Sequence, residues 1–153
     1  MKPRRKKILL GLLILLVVLQ FIPIDRSVPE IDASQDFLQV VNAPQEMATV
    51  IKNTCYDCHS YESEYPWYSK IAPVSLLIQS HIKGGRQEMN FSEWGSYSKE
   101  KAYSKLEECF EMVSDRKMPM KSFVNMHPEA RMTDVQVTGL AQWFQQLYKA
   151  KAN

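Results

Sequence analysis

The stretch Asn53-Thr54-Cys55-Tyr56-Asp57-Cys58-His59-Ser60 decides how this chain is read. Two cysteines three apart, with histidine directly after the second, form Cys-x-x-Cys-His, the attachment pattern of a c-type haem. Two thiols can add across the two vinyl groups of a porphyrin to give thioethers, and the adjoining imidazole can ligate the iron from the proximal side. Cys55 and His59 are four apart, so on a helical turn they share a face, as docking one flat ring requires. The pattern predicts Cys55 and Cys58 as covalent contacts to one haem c per chain and His59 as the proximal iron ligand.

Other uses of paired thiols find less support. A dithiol redox motif needs a βαβ setting, and no strand pattern is present. A zinc site needs a second ligand pair, whereas Cys109, His81 and His127 stand singly. Three cysteines also fail to make a closed disulfide set.

At 153 residues the chain allows one domain plus an appendage. Residues 1–24 are that appendage: Lys2, Arg4, Arg5, Lys6 and Lys7 precede an apolar run from Ile8 to Ile22. A basic tip before such a run marks an export signal or signal anchor. The bulky Phe21-Ile22-Pro23-Ile24 offers no small-x-small cleavage site and favours an anchor, whereas the shortness of the run favours cleavage. The positive-inside rule keeps the tip cytoplasmic and places Asp25 onward on the periplasmic side, anchored or released.

The net charge of +2 belongs to that appendage. Of 19 basic residues five lie in it with no acidic partner, leaving 14 basic against 17 acidic groups after residue 24. The exported part is mildly acidic and has no basic stripe, so nucleic-acid binding is not expected.

Asp25 to Ala43 reads as a tether with a short ordered piece at Phe37–Val41, and residues 44–153 as the domain. Pro44 suits the first position of a helix carrying Met47, Val50, Ile51 and Thr54 on one face, which would deliver the chain into Cys55. The rings of Tyr61, Tyr65, Trp67 and Tyr68 either plug the core or wall the porphyrin. Pro73 opens a helix to about Lys83, with Val74, Leu77, Ile78, His81 and Ile82 inward and Gly84-Gly85 as its stop. Ser92 is expected to cap a single turn, and Ser98 a helix from Lys99 to Arg116 with Ala102, Leu106, Cys109, Phe110 and Val113 facing in. Cys109 on that stripe reads as a buried, inert thiol. Lys117 to Arg131 reads as a loop. Thr133-x-x-Gln136 is a capping box for a last helix, whose apolar face is Val137, Leu140, Ala141, Phe144, Leu147 and Tyr148. The fold class is therefore a small all-α domain behind an N-terminal membrane helix, and the resemblance implied by the order of its blocks makes that domain cytochrome c-like.

The order of these blocks resembles monohaem cytochromes c and, more closely, the bacterial haem-binding domain family of exported proteins. The resemblance rests on Cys55-x-x-Cys58-His59, Tyr65-Pro66-Trp67-Tyr68 with Ile71-Ala72-Pro73-Val74-Ser75, and His81 with Gly85-Arg86. It continues through Asn90-Phe91-Ser92-Glu93-Trp94, Lys117-Met118-Pro119 and His127-Pro128-Glu129-Ala130, and so runs from about Gln45 to Leu147. It implies covalent haem c and electron transfer. Met120 departs from the pattern, where a second proline or an aliphatic residue is expected after Met-Pro.

Met118, before a proline in a loop, is the first candidate for the distal iron ligand, with Met120, His81 and His127 as alternatives and an open sixth position as another. Arg86 is a candidate for a haem propionate, against a plain surface cation near a helix end. The functional expectation is a single-electron carrier serving an unidentified redox partner, and not an enzyme, since no acid–base pair or nucleophile constellation is legible. The competing readings are a haem sensor, ligand-binding module or weak peroxidase with an open sixth position, or an accessory domain whose haem holds the fold together.

Overall fold

Eight α-helices joined by 3₁₀ turns make up the computed structural model, which describes residues 3–152. Lys2 of the basic tip lies outside them. No strand occurs among the described residues. The first helix, α1, spans Pro3–Leu19. Its 17 residues reach about 25 Å, against roughly 30 Å of bilayer hydrocarbon. Four of the residues in its first turns are also charged. No helix among the described residues is long and apolar enough to cross a membrane, which corrects the expected membrane-spanning helix.

The segment read as a tether contributes to the core. A 3₁₀ turn at Ala33–Gln35 leads into α2, Phe37–Val40, and Phe37 is wholly buried. Its ring centroid lies 5.0 Å from Phe91, 4.6 Å from Trp94 and 6.1 Å from Phe144. Burying such a ring contributes about 1.5–3 kcal/mol, so the ordered unit extends upstream of residue 44. Helix α2 ends with Asn42 in the left-handed region, φ 50°, which asparagine tolerates.

Helix α3, Gln45–Ile51, starts one residue later than expected, with Pro44 as its N-cap. It passes without a break into a π turn, Lys52–Tyr56, and then α4, Asp57–His59. Helix α5, Val74–Glu88, runs through Gly84-Gly85 instead of stopping there. Its inward face also differs from the expected one. Ser75, Ile82 and Met89, seven apart, are buried, whereas Val74, Leu77 and His81 are exposed.

A 3₁₀ turn over Phe91–Ser96 is capped by Asn90, whose side chain accepts from Ser92 N; Ser92 is a buried brace whose Oγ accepts from Tyr61 N at 2.9 Å. Helix α6, Lys99–Ser114, has the expected Ser98 cap. Two corrections follow in the next stretch: α6 stops short of Arg116, and the expected loop contains α7, Lys121–Met126, and a 3₁₀ turn at Pro128–Ala130. The capping box of α8, Asp134–Ala152, is formed as expected: Thr133 N donates to Gln136 Oε1 at 2.9 Å, and Gln136 N to Thr133 Oγ1 at 3.2 Å. Helices α6 and α8 pack together, and Leu106, Val113, Leu140 and Phe144 of their facing stripes are buried.

Candidate haem site

The π turn immediately precedes the cysteine pair. Inserting a residue into a helical ladder widens one turn, and such bulges are frequent at functional sites. Thr54 back-bonds within this run, its Oγ1 donating to Val50 O at 2.7 Å, and lies 3.2 Å from Cys55 Sγ. Cys55, Cys58 and His59 thereby border one cavity of about 430 Å³. All three cysteines are free thiols. Burial pushes the Cys55 and Cys58 thiols up to about 11, so neither is a ready thiolate.

His59 is held for ligation. Its Nδ1 lies 3.1 Å from the carbonyl oxygen of Met89. A carbonyl can only accept, so Nδ1 carries the proton and the neutral ring keeps its lone pair on Nε2. Burial, the largest influence, lowers the imidazole's pKa and favours the neutral form that a metal needs. Phe91 braces the ring edge-on, 6.3 Å between centroids.

Helix α5 comes close enough to fix the motif because Gly85 has no side chain. A Cβ there would lie 2.5 Å from Cys58 O and 3.1 Å from Cys58 C. Gly84 meets nothing within 4 Å. The glycine pair that reads as a helix stop is thus split in role, and Gly85 serves close packing.

The far loop enters the same cavity. Helix α6 ends in a Schellman turn: Arg116 N donates to Val113 O at 3.0 Å and Lys117 N to Met112 O at 2.9 Å. Arg116 occupies the left-handed position at φ 54°, a place usually taken by glycine. Met118 N also donates to Met112 O, at 3.1 Å, and Met118, Met120 and Phe123 border the cavity. Three of the expected distal candidates, Met118, Met120 and His81, thus border the same cavity as His59.

His127 does not. Its Nδ1 is 3.0 Å from Glu129 Oε1 and its Nε2 is 2.7 Å from the Tyr68 hydroxyl, so both ring nitrogens are engaged. It faces a second, more polar cleft of about 780 Å³ together with Asp57, Glu64, Tyr65 and Tyr68. Those tyrosines therefore do not wall the first cavity, and Trp67 is exposed; Phe91, Phe123 and Phe144 are the cavity's aromatic lining. Arg86 also points elsewhere: its Nε donates to Ser60 O at 2.7 Å and an NH₂ group to Ser63 Oγ at 3.0 Å. It braces the chain leaving the motif.

From its place on the α6 stripe, Cys109 is expected to be a buried, inert thiol. Its thiol is indeed held well above its usual range by burial, but it borders the cavity, 3.5 Å from Met89 Sδ. Met89 itself was missed, because what it supplies to the site is a backbone oxygen.

An apolar cavity in a helical domain, bordered by three thiols, an imidazole and loop methionines, has donors that suit a haem and defines a haem-binding module. The chain belongs to the haem-binding domain family, which it matches over residues 14–146. No curated protein and no solved structure matches it.

Proposed function

We propose that this haem-binding protein is an exported monohaem c-type electron carrier. Cys55 and Cys58 form the two thioethers, His59 Nε2 ligates the iron, and Met118 supplies the sixth ligand, with Met120 and His81 as the alternatives at the same cavity. The observation that carries the reading is the His59 tautomer fixed by the Met89 carbonyl beside both thiols. A haem iron so held supplies one-electron chemistry, its potential set by the axial ligand, burial and local hydrogen bonds. The chain's part is to hold the ring, keep water from it and orient the ligands.

Thioether attachment is a reaction of exported proteins, and the basic tip with its apolar run supplies the export signal. The domain lies on the periplasmic side, and the same segment, although its helix is too short and too charged to cross the bilayer, rests its exposed apolar run from Ile8 to Val18 in lipid. An unidentified redox protein is the partner, and no catalytic turnover is assigned.

The test is haem extraction. Purified protein is expected to retain its haem through acid–acetone treatment, and the Cys55→Ser and Cys58→Ser variants to lose part of that resistance. Protein isolated without bound haem would overturn the proposal. Avid binding of carbon monoxide by the reduced protein would replace the carrier with a sensor having an open sixth position.

A further inference from the structure

We propose that the face carrying Trp67, Ile71, Val74 and Leu77 rests on the lipid bilayer, a proposal that builds on the reading that residues 1–24 lodge in the membrane. Helix α1 buries none of its residues, and its aliphatic side chains from Ile8 to Val18 are exposed on every side. A helix that packs on one protein partner is apolar on one stripe only; one that is apolar all round suits hydrocarbon. The run from Ile8 to Val18, though too short to cross the bilayer, suits burial in lipid on all its faces.

The domain is fastened to the end of that helix. Gln20 Nε2 donates to Ala72 O at 3.0 Å, and Ala72 N donates back to Gln20 Oε1 at 3.0 Å. An Arg26 NH₂ group donates to Ser69 O at 2.6 Å, and the guanidinium lies 4.3 Å from the centre of the Tyr65 ring. Gln79 Nε2 donates to Asp25 O at 2.5 Å. Residues 20–26 are thus bonded to residues 65–79 at several points, and the surface around Ala72 lies one side chain from where α1 ends.

That surface is apolar. Trp67 is 74% exposed and Leu77 57%, with Ile71 and Val74 also exposed between them. Ile71, Val74 and Leu77 recur every third residue along one edge, and the 3₁₀ turn Trp67–Lys70 packs against α5 beside them. Phe21, two residues past the end of α1, is also exposed. Tryptophan prefers the boundary between headgroups and acyl chains, and the exposed Lys70 suits anionic headgroups. His81 and Ser80, about one turn beyond Leu77, border the haem cavity, so docking by this face holds the cavity close to the membrane.

The full haem-loaded chain, reconstituted in phosphatidylethanolamine/phosphatidylglycerol vesicles with ordinary or brominated acyl chains, provides the test. Bromine quenches tryptophan only on close approach. Of the three tryptophans, Trp94 is buried and Trp143 half-buried. Brominated vesicles are expected to dim the wild-type emission, Trp67→Phe to lose that bromine-dependent part, and Trp67→Phe/Leu77→Trp to regain it. Protein that floats with the vesicles but is equally quenched with and without Trp67, or not quenched at all, would overturn the docked face while leaving the anchor intact. Failure to float would overturn the membrane reading and the face with it.

Discussion

Replacing Gly85 with alanine tests the close contact on which the site depends. In an ordinary helix interior, Gly→Ala stabilises by about 0.5–1 kcal/mol, because glycine loses more backbone freedom on folding. At Gly85 the new methyl would sit 2.5 Å from Cys58 O and 3.3 Å from Cys58 Cβ. The obstacle is backbone of the attachment motif, so it cannot rotate away as a side-chain tip would. Overpacking of this kind costs about 1–3 kcal/mol. Less the propensity gain, the net loss is about 0–2.5 kcal/mol, centred near 1 kcal/mol. The adjacent Gly84→Ala is the control: nothing lies within 4 Å of its Cβ, so only the propensity gain applies. Gly84 borders the cavity, so denaturant midpoints should be compared on the haem-free chain, and haem content on protein made with the attachment machinery present. Gly85→Ala is expected to lower both readings, and Gly84→Ala to leave the midpoint equal or higher. Equal midpoints for the two variants would refute the reasoning, because the contact with Cys58 would then have no energetic consequence.

The near-infrared charge-transfer band of methionine-ligated ferric haem should disappear in Met118→Ala; if it persists there and is lost in Met120→Ala, the ligand is Met120. Tyr56→Phe should destabilise the protein by about 1–3 kcal/mol, measured by denaturant unfolding, because the Tyr56 hydroxyl donates to both oxygens of the buried Asp36, at 3.1 and 2.9 Å. Arg116→Gly should stabilise by roughly 1 kcal/mol by relieving the left-handed backbone at φ 54°, with the lost Arg116–Asp134 surface pair a small offset. Burial raises the Asp57 carboxyl above 3.8, so the folded state holds its proton more tightly than the unfolded chain does. Stability then falls as pH rises from the unfolded value through the folded one, and stays reduced at neutral pH. Asp57→Asn, which keeps an acceptor for Glu64 N, should be more stable than wild type at pH 7 and lose that part of the pH dependence, read from unfolding midpoints across the acid range.

What could be read in the sequence was whatever is local to a few residues. The Thr133–Gln136 capping box and the inward stripe of α6 follow from the chemistry of neighbours within two turns and have their expected form in the fold, and Cys55, Cys58 and His59 border one cavity, though a π turn replaces the regular helical turn at the first of them. Tertiary structure decided what depends on a distant partner. Gly84-Gly85 reads as a helix stop until the approach of Cys58 shows why α5 continues through it. Phe37 reads as the start of a short ordered piece within a tether, and only the closing of Phe91, Trp94 and Phe144 around it makes that piece part of the core. His127 and Arg86 have the right chemistry for iron and propionate, yet Tyr68, Glu129, Ser60 and Ser63 claim their polar atoms first. The carbonyl that fixes the His59 tautomer belongs to Met89, and a backbone oxygen carries no signature in a sequence. The Cys-x-x-Cys-His pattern is therefore legible in the sequence alone, whereas the orientation of its histidine and the wall around it exist only once α5, α6 and the Met118 loop have packed.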